Sequence, residues 1–232
     1  MQRFVLRETK FTQELIIDDE SLLHQFFSVL RYKLWDQVIF FDGKNTTDYV
    51  YEISAIKAKK YVKLLWKDII NKTLSRDAFH LYQALPNKIE KIEYILQKWV
   101  EVGMTAFTFF RSERSQTLLI NSSKQKRLEK IIIEALEQSG RNMLPSLEFL
   151  EKIPSRINWN TLFFHTNKKE SSLLANIEKN TSYNLLVGPE GGWSEREERD
   201  FIEKGYKKIY LWEGILRAET VAPVVTFFLS QI

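Results

Sequence analysis

The stretch YNLLVGPEGGWSEREERDFIEKG, residues 183–205, reads as strand, glycine turn and helix in unbroken succession. Leu185-Leu186-Val187 is apolar on both faces, as a strand covered by helices on two sides must be. Gly188-Pro189-Glu190-Gly191-Gly192 ends the run. Ser194 and Glu197 then make a capping box, the hydroxyl accepting from the N–H of residue 197 while the carboxylate reaches back. Gly205 stands where a helix stops in the left-handed conformation. Ligands bind beyond the carboxyl ends of strands in an open parallel sheet, and Gly188, Gly191 and Gly192 let one approach the backbone closely. The turn has neither the Lys-Ser/Thr of a nucleotide triphosphatase nor a GxGxxG dinucleotide fingerprint. Glu195, Glu197 and Glu198 in the helix's first turn would repel phosphate, so a cationic or zwitterionic ligand suits this turn better.

The same rhythm extends on both sides. FHLYQALP (79–86), TAFTFF (105–110), TLFFH (161–165) and KKIYLW (207–212) read as strands. Between them lie helices over 89–102, closed by Gly103, and over KQKRLEKIIIEALEQSGR (124–141), ESSLLANIEK (170–179) and the apolar C-terminal segment. Strands alternating with helices predict an α/β domain with a mostly parallel sheet over 71–232. LWEGILRAETVA (211–222) follows the next strand, adding Gly214 and an Arg217–Glu219 pair to the same sheet edge. Two such loops on one edge point to a shared pocket, although an ion pair that merely fixes the loop would use the same residues. Residues 1–70 differ. RFVL, QVIFFDGKN, DYVYEISAI and YVKLLW are strand candidates around one helix, SLLHQFFSVLR, and form a small β-rich module.

Composition narrows the chemistry. The 232 residues include no cysteine, which excludes disulfides, thiolate metal sites and a cysteine nucleophile. His24, His80 and His165 have no ligand spacing, so no metal is expected. There is no apolar run of membrane-spanning length and no apolar leader, so a cytoplasmic protein without a membrane partner is expected. The net charge of +4 is spread evenly, which permits a nucleic-acid partner without indicating one.

GPEGGWSEREE, EQSGR (137–141), SERS (112–115), YQALPNKIEKIEYILQKWVEVG (82–103) and ILRAET (215–220) occur in an order that resembles the RsmE family. The resemblance spans nearly the whole chain. It implies a SPOUT methyltransferase domain over 71–232 with a deep C-terminal trefoil knot, preceded over about 1–70 by a PUA-like β-barrel that binds RNA. The implied activity is methyl transfer from S-adenosylmethionine to N3 of a uridine in 16S ribosomal RNA, by a homodimer acting on the free rRNA or the small ribosomal subunit. The cofactor would lie against His165, against Val187, Gly188, Pro189, Gly191 and Gly192, and against Leu211, Trp212, Ile215, Leu216 and Thr220. Its sulfonium and ammonium groups agree with the acidic helix start. Trp212, Gly214 and Ala218 stand where the family usually has glycine, arginine and threonine.

The missing cysteine closes the covalent route to pyrimidine C5. Methylation of N3 requires the developing anion to be stabilised or its proton removed. Arg217 would hydrogen-bond the uracil oxygen that takes up charge, and Glu219 would accept the proton or orient Arg217. Arg114, Gln138, Ser139 and Arg141 match positions expected to meet RNA, and Glu101 matches one whose role is open. Lys124, Lys126, Arg127 and Lys130 form a basic stripe that suits either phosphates or solvent. Two other readings share these residues: a SPOUT enzyme acting on another RNA site, and a catalytically weak RNA-binding assembly factor.

Overall fold

The computed structural model describes residues 1–7, 9–57, 60–73, 78–157, 160–167, 172–173, 177–178, 181–211 and 213–231. They form two compact units, Met1–Leu74 with Leu136–Leu144, and Ser75–Ala135 with Pro145–Ile232.

The first unit is a five-stranded sheet. Strands β1 (Arg3–Val5), β2 (Glu14–Ile17), β3 (Gln37–Phe41), β4 (Thr47–Lys57) and β5 (Tyr61–Asn71) lie in the order β1-β3-β4-β5-β2. Only the β1–β3 pair is parallel. Helix α1 (Glu20–His24) runs into a π-helical turn, Gln25–Val29, as one continuous helical segment where the sequence predicts one. Phe4, Phe26, Phe40 and Tyr51 meet in an aromatic core, with Phe26 5.2 Å from Phe4 and edge-on to Tyr32. Strand β2 has no counterpart in the sequence reading. Only Leu15 and Ile17 of its four residues are buried.

Trp35, two residues before β3, has φ +75° and is 67% exposed. A bulky L-residue in that region carries a steric cost that glycine escapes. Replacing Trp35 with glycine is expected to stabilise the protein by about 0.5–1 kcal/mol, seen as a rise of roughly 1–4 °C in melting temperature. A fall on calorimetry would show that the exposed ring contributes packing.

The second unit holds β6 (Phe79–Ala84), β7 (Ala106–Phe110), β8 (Ser146–Leu150), β9 (Asn160–Phe164), β10 (Ser172–Leu173), β11 (Tyr183–Val187) and β12 (Lys207–Tyr210). Their order is β10-β12-β9-β11-β6-β7-β8, and every pairing is parallel. All five residues of central β11 are buried. The helices are α2 (Ile89–Val102), α3 (Ser122–Ser139), α4 (Glu195–Glu203) and α5 (Ala218–Gln231). Helix α2 buries Ile92, Ile95, Leu96, Trp99 and Val100, and ends on Gly103 at φ +99°. The helix expected over 170–179 is corrected where the chain is described: residues 172–173 are strand β10, paired with Ile209–Tyr210 of β12. An unsatisfied sheet edge outweighs local helical spacing there.

His80 of β6 illustrates how closely this sheet is covered. Its Nε2 lies 2.8 Å from Thr108 Oγ1 and its ring stacks on Tyr82 at 4.1 Å. Burial pushes its pKa from 6.5 down to about 4. The unfolded chain therefore takes up this proton at a higher pH than the folded one. Stability is fully present above pH 6.5 and declines as pH falls toward 4. Melting temperatures should drop through that window, and His80→Gln should flatten part of the drop.

Candidate active site

Strands β12, β9 and β11 are neighbours, so the loops leaving their carboxyl ends start side by side. Together these loops enclose a cavity of about 490 Å³, within the size range of cofactor sites. Phe164 and His165 come from the first loop, residues 187–193 from the second, and Leu211 with residues 214–219 from the third. Val221 closes the floor and Lys91 reaches in from α2.

The second loop leaves the sheet in a direction set by its neighbours. Gln83, fully buried at the end of β6, donates from Nε2 to the carbonyls of Ala84 and Gly188 at 2.9 and 3.1 Å. Trp193 donates from Nε1 to the Phe164 carbonyl at 3.1 Å and so ties the second loop to the first. The same indole stacks on Phe110 and meets Phe201 edge-on. Gly188 lies against this ring, where an added Cβ would come within 3.2 Å of Cε2. At Gly191 an added Cβ would come within 3.3 Å of Arg114 Cβ, and Arg114 donates to the Gly191 carbonyl at 3.1 Å. These two glycines are thus required by packing inside the protein. Gly192 is different. It has φ +68° and opens onto space with no atom within 4 Å, so it alone leaves room for a ligand at the backbone.

Two of the three acids of the α4 start, Glu197 and Glu198, are engaged within the protein, while Glu195 is exposed. Glu197 completes the capping box with Ser194 and accepts from the Glu113 N–H at 3.0 Å. Glu198 bridges Lys208 and His165, whose Nε2 lies 3.3 Å away. His165 Nδ1 accepts from the Asn167 N–H, so the ring proton sits on Nε2 toward Glu198. Burial lowers the His165 pKa; Glu198 opposes that effect and Lys208 reinforces it. The carboxylates that line the cavity are Glu190 and Glu219 instead. Burial would raise the Glu190 carboxyl, but Lys91, 2.5 Å from Oε1, and the Asn87 N–H hold it below its ordinary range.

The cavity gathers His165, Val187, Gly188, Pro189, Gly191, Gly192, Leu211, Ile215 and Leu216 with Arg217 and Glu219. Thr220 lies outside it and lines a smaller hollow with Lys88, Tyr94 and Glu219. Trp212 lies outside the described residues. The Arg217–Glu219 ion pair is absent: among the described residues Arg217 is exposed and unpaired, while Glu219 is half-buried. Arg217 instead starts α5, its carbonyl accepting from the Thr220 and Val221 amides. Gln138 and Arg141 are exposed, whereas the Ser139 hydroxyl is buried without a partner among the described residues. Much of the basic stripe is engaged: Arg127 pairs with Glu93, Lys130 with Glu134, and Lys124 donates to the Leu119 carbonyl. Glu101 accepts from Lys98. Gln83, Lys91 and Trp193 are among the cavity-building residues that sequence reasoning missed, with Phe164, Glu190 and Val221 of the lining. Of the first three, only Trp193 left a signal, as an aromatic directly after the glycine turn.

The model of an RNA methyltransferase domain matches residues 73–230. The chain is 30% identical to ribosomal RNA small subunit methyltransferase E of Buchnera aphidicola subsp. Acyrthosiphon pisum, over 94% of this chain and 92% of that protein. The chain belongs to this methyltransferase family. A second member, from Bacillus subtilis, is 29% identical over 95% of this chain and 92% of its own length. The crystal structure of the Neisseria gonorrhoeae member bound to S-adenosyl methionine superposes with a TM-score of 0.83 at 28% identity, covering 100% of this chain and 97% of that one.

The cavity suits S-adenosylmethionine. Its buried apolar wall of Phe164, Val187, Trp193 and Val221 can take an adenine face, and the unfilled side of Gly192 leaves backbone accessible. Glu219 offers an anionic partner for a cation, whereas Glu190 is already paired with Lys91.

Proposed function

We infer that the protein methylates N3 of a uridine in 16S ribosomal RNA, using S-adenosylmethionine. The observation that carries this reading is the single cavity built by the loops after β9, β11 and β12, in a chain of this family. The cofactor supplies an electrophilic methyl group on a sulfonium. His165, the Val187–Gly192 turn and Leu211, Trp212, Ile215 and Leu216 hold it, with Thr220 at the margin. On the same reading, residues 71–232 form a SPOUT domain with a C-terminal knot, residues 1–70 form a PUA-like RNA-binding barrel, and the cytoplasmic enzyme works as a homodimer.

Arg217 stabilises the uracil oxygen as N3 loses its proton. Its place at the amino end of α5 adds the helix dipole to its own charge. Glu219 accepts the proton; with no contact to Arg217, an orienting role has nothing to rest on. Arg114, Gln138 and Arg141 meet the RNA, whose target base must leave its stack to expose N3.

The test uses small subunits lacking the modification, incubated with protein and S-adenosylmethionine and then copied by reverse transcriptase. N3 lies on the pairing edge, so its methylation stops primer extension at one nucleotide. Methyl incorporation without a stop would move the reaction to another atom. No incorporation and no cofactor binding by calorimetry would leave the assembly-factor reading in its place.

A further inference from the structure

The carboxyl end of α3 is built into the first unit by side chains from distant parts of the sequence. Arg3 Nη1 donates to the carbonyls of Leu136 and Arg141 at 3.1 and 3.2 Å. Its Nη2 donates to Asp48 and Asn142, both at 2.8 Å, and Nε donates to Asp48. Every N–H of the guanidinium is thereby used, and its flat face lies over Phe41 at 4.3 Å. Lys72 Nζ contacts the Gly140 carbonyl at 2.7 Å, Asn142 Oδ1 at 2.8 Å and Asp48 at 2.7 Å. Asn142 Nδ2 donates to Asp48 at 2.7 Å. Glu137 accepts from the Val5 N–H, and the Leu144 N–H donates to the Gly43 carbonyl.

A helix end leaves carbonyls without partners at the negative pole of its dipole. Here two cations from the N-terminal sheet occupy that pole, and a buried carboxylate keeps them in place. The backbone of residues 136–142 is gripped from within, while the Gln138 and Arg141 side chains stay exposed. Stability alone does not ask for this design, because a buried ionic cluster adds little over apolar packing of the same volume. It gives one defined course to a turn on which Gln138 and Arg141 are exposed.

We propose that Arg3, Asp48 and Lys72 are positioning residues for RNA recognition, holding the Gln138–Arg141 turn in the conformation that meets the substrate. This rests on the assignment of that turn to RNA above. The N-terminal sheet then contributes to substrate affinity through its grip on this turn.

Lys72 is the residue to change, because it is partly exposed and its loss leaves the Arg3–Asp48 pair intact. Affinity for a small-subunit RNA fragment is measured by filter binding for the wild type, Lys72→Met and Lys72→Arg, alongside S-adenosylmethionine binding and melting temperature. Lys72→Met should weaken RNA binding about tenfold, the scale of one lost charge-assisted hydrogen bond. Cofactor affinity should not change, and Lys72→Arg should restore most of the RNA affinity. The slope of RNA affinity against salt should stay that of the wild type. A slope lower by about one would make Lys72 a phosphate contact and overturn the proposal. So would unchanged RNA affinity with a lowered melting temperature, the result of a purely structural pin. Wild-type protein that binds this RNA but transfers no methyl group would count against the methyltransferase reading alone, since the affinities still decide the role of Lys72.

Discussion

Arg217→Ala is expected to slow methyl transfer by about 10²–10³-fold, the effect of losing one preorganised donor at a developing oxyanion. Stability should hardly change. The Arg217 side chain is exposed and makes no bond among the described residues, and the carbonyl that starts α5 survives the substitution. Affinity for S-adenosylmethionine should stay within a few-fold of the wild type, so the loss should appear in kcat. Arg217→Lys keeps the charge but not the planar fork, and should recover only part of the rate. Single-turnover assays with saturating cofactor isolate the step. Near-normal turnover of the alanine variant would remove Arg217 from the chemistry and shift attention to the amino end of α5 itself.

The largest expected loss of stability follows Trp193→Ala. The indole is 4% exposed, stacks on Phe110, meets Phe201 and supports Gly188. Removing it should cost about 3–5 kcal/mol, the range for a large aromatic taken from a packed core. Trp193→Phe is the sharper probe of function. It keeps most of the ring packing but leaves the Phe164 carbonyl without its donor, at about 1 kcal/mol. Denaturant titration measures the stability and calorimetry with S-adenosylmethionine measures the site. If that bond sets the spacing of the first two loops, cofactor affinity should fall in Trp193→Phe by more than its stability loss alone would produce. Unchanged affinity would assign the spacing to Glu198, which joins His165 to Lys208.

The parallel sheet was readable because its central strands, such as LLV and TLFF, are apolar on both faces. The three elements missed or misread share one property. Strand β2 is an end of the five-stranded sheet, and β8 and β10 are the two ends of the seven-stranded one. An edge strand is paired along one side only: β2 offers the short run Leu15-Ile16-Ile17 with Ile16 exposed, and β8 is interrupted by Glu148 and buries its side chains only in part. The site divides similarly. The glycine turn and ILRAET lie at strand ends and announce themselves locally. Gln83 and Lys91 come to the cavity from a strand and a helix about a hundred residues earlier, and spacing in the sequence carries no trace of that. The glycines were legible, but not their reasons: Gly188 and Gly191 accommodate Trp193 and Arg114, and only Gly192 faces open space.

The first unit takes in Met1–Leu74 and then one short return of the chain, Leu136–Leu144. Arg3 and Asp48 therefore complete their hydrogen bonding only when Asn142 and the α3 carbonyls arrive. During synthesis, an N-terminal sheet emerging from the ribosome holds two opposite charges in a half-built interior until the far end of α3 has followed it out. The sheet is consequently not a portable module. A fragment ending at residue 74 keeps the Arg3–Asp48 and Lys72–Asp48 pairs but lacks Asn142 and the α3 carbonyls that complete their hydrogen bonding, and transplanting it to another protein would require carrying the distant turn along.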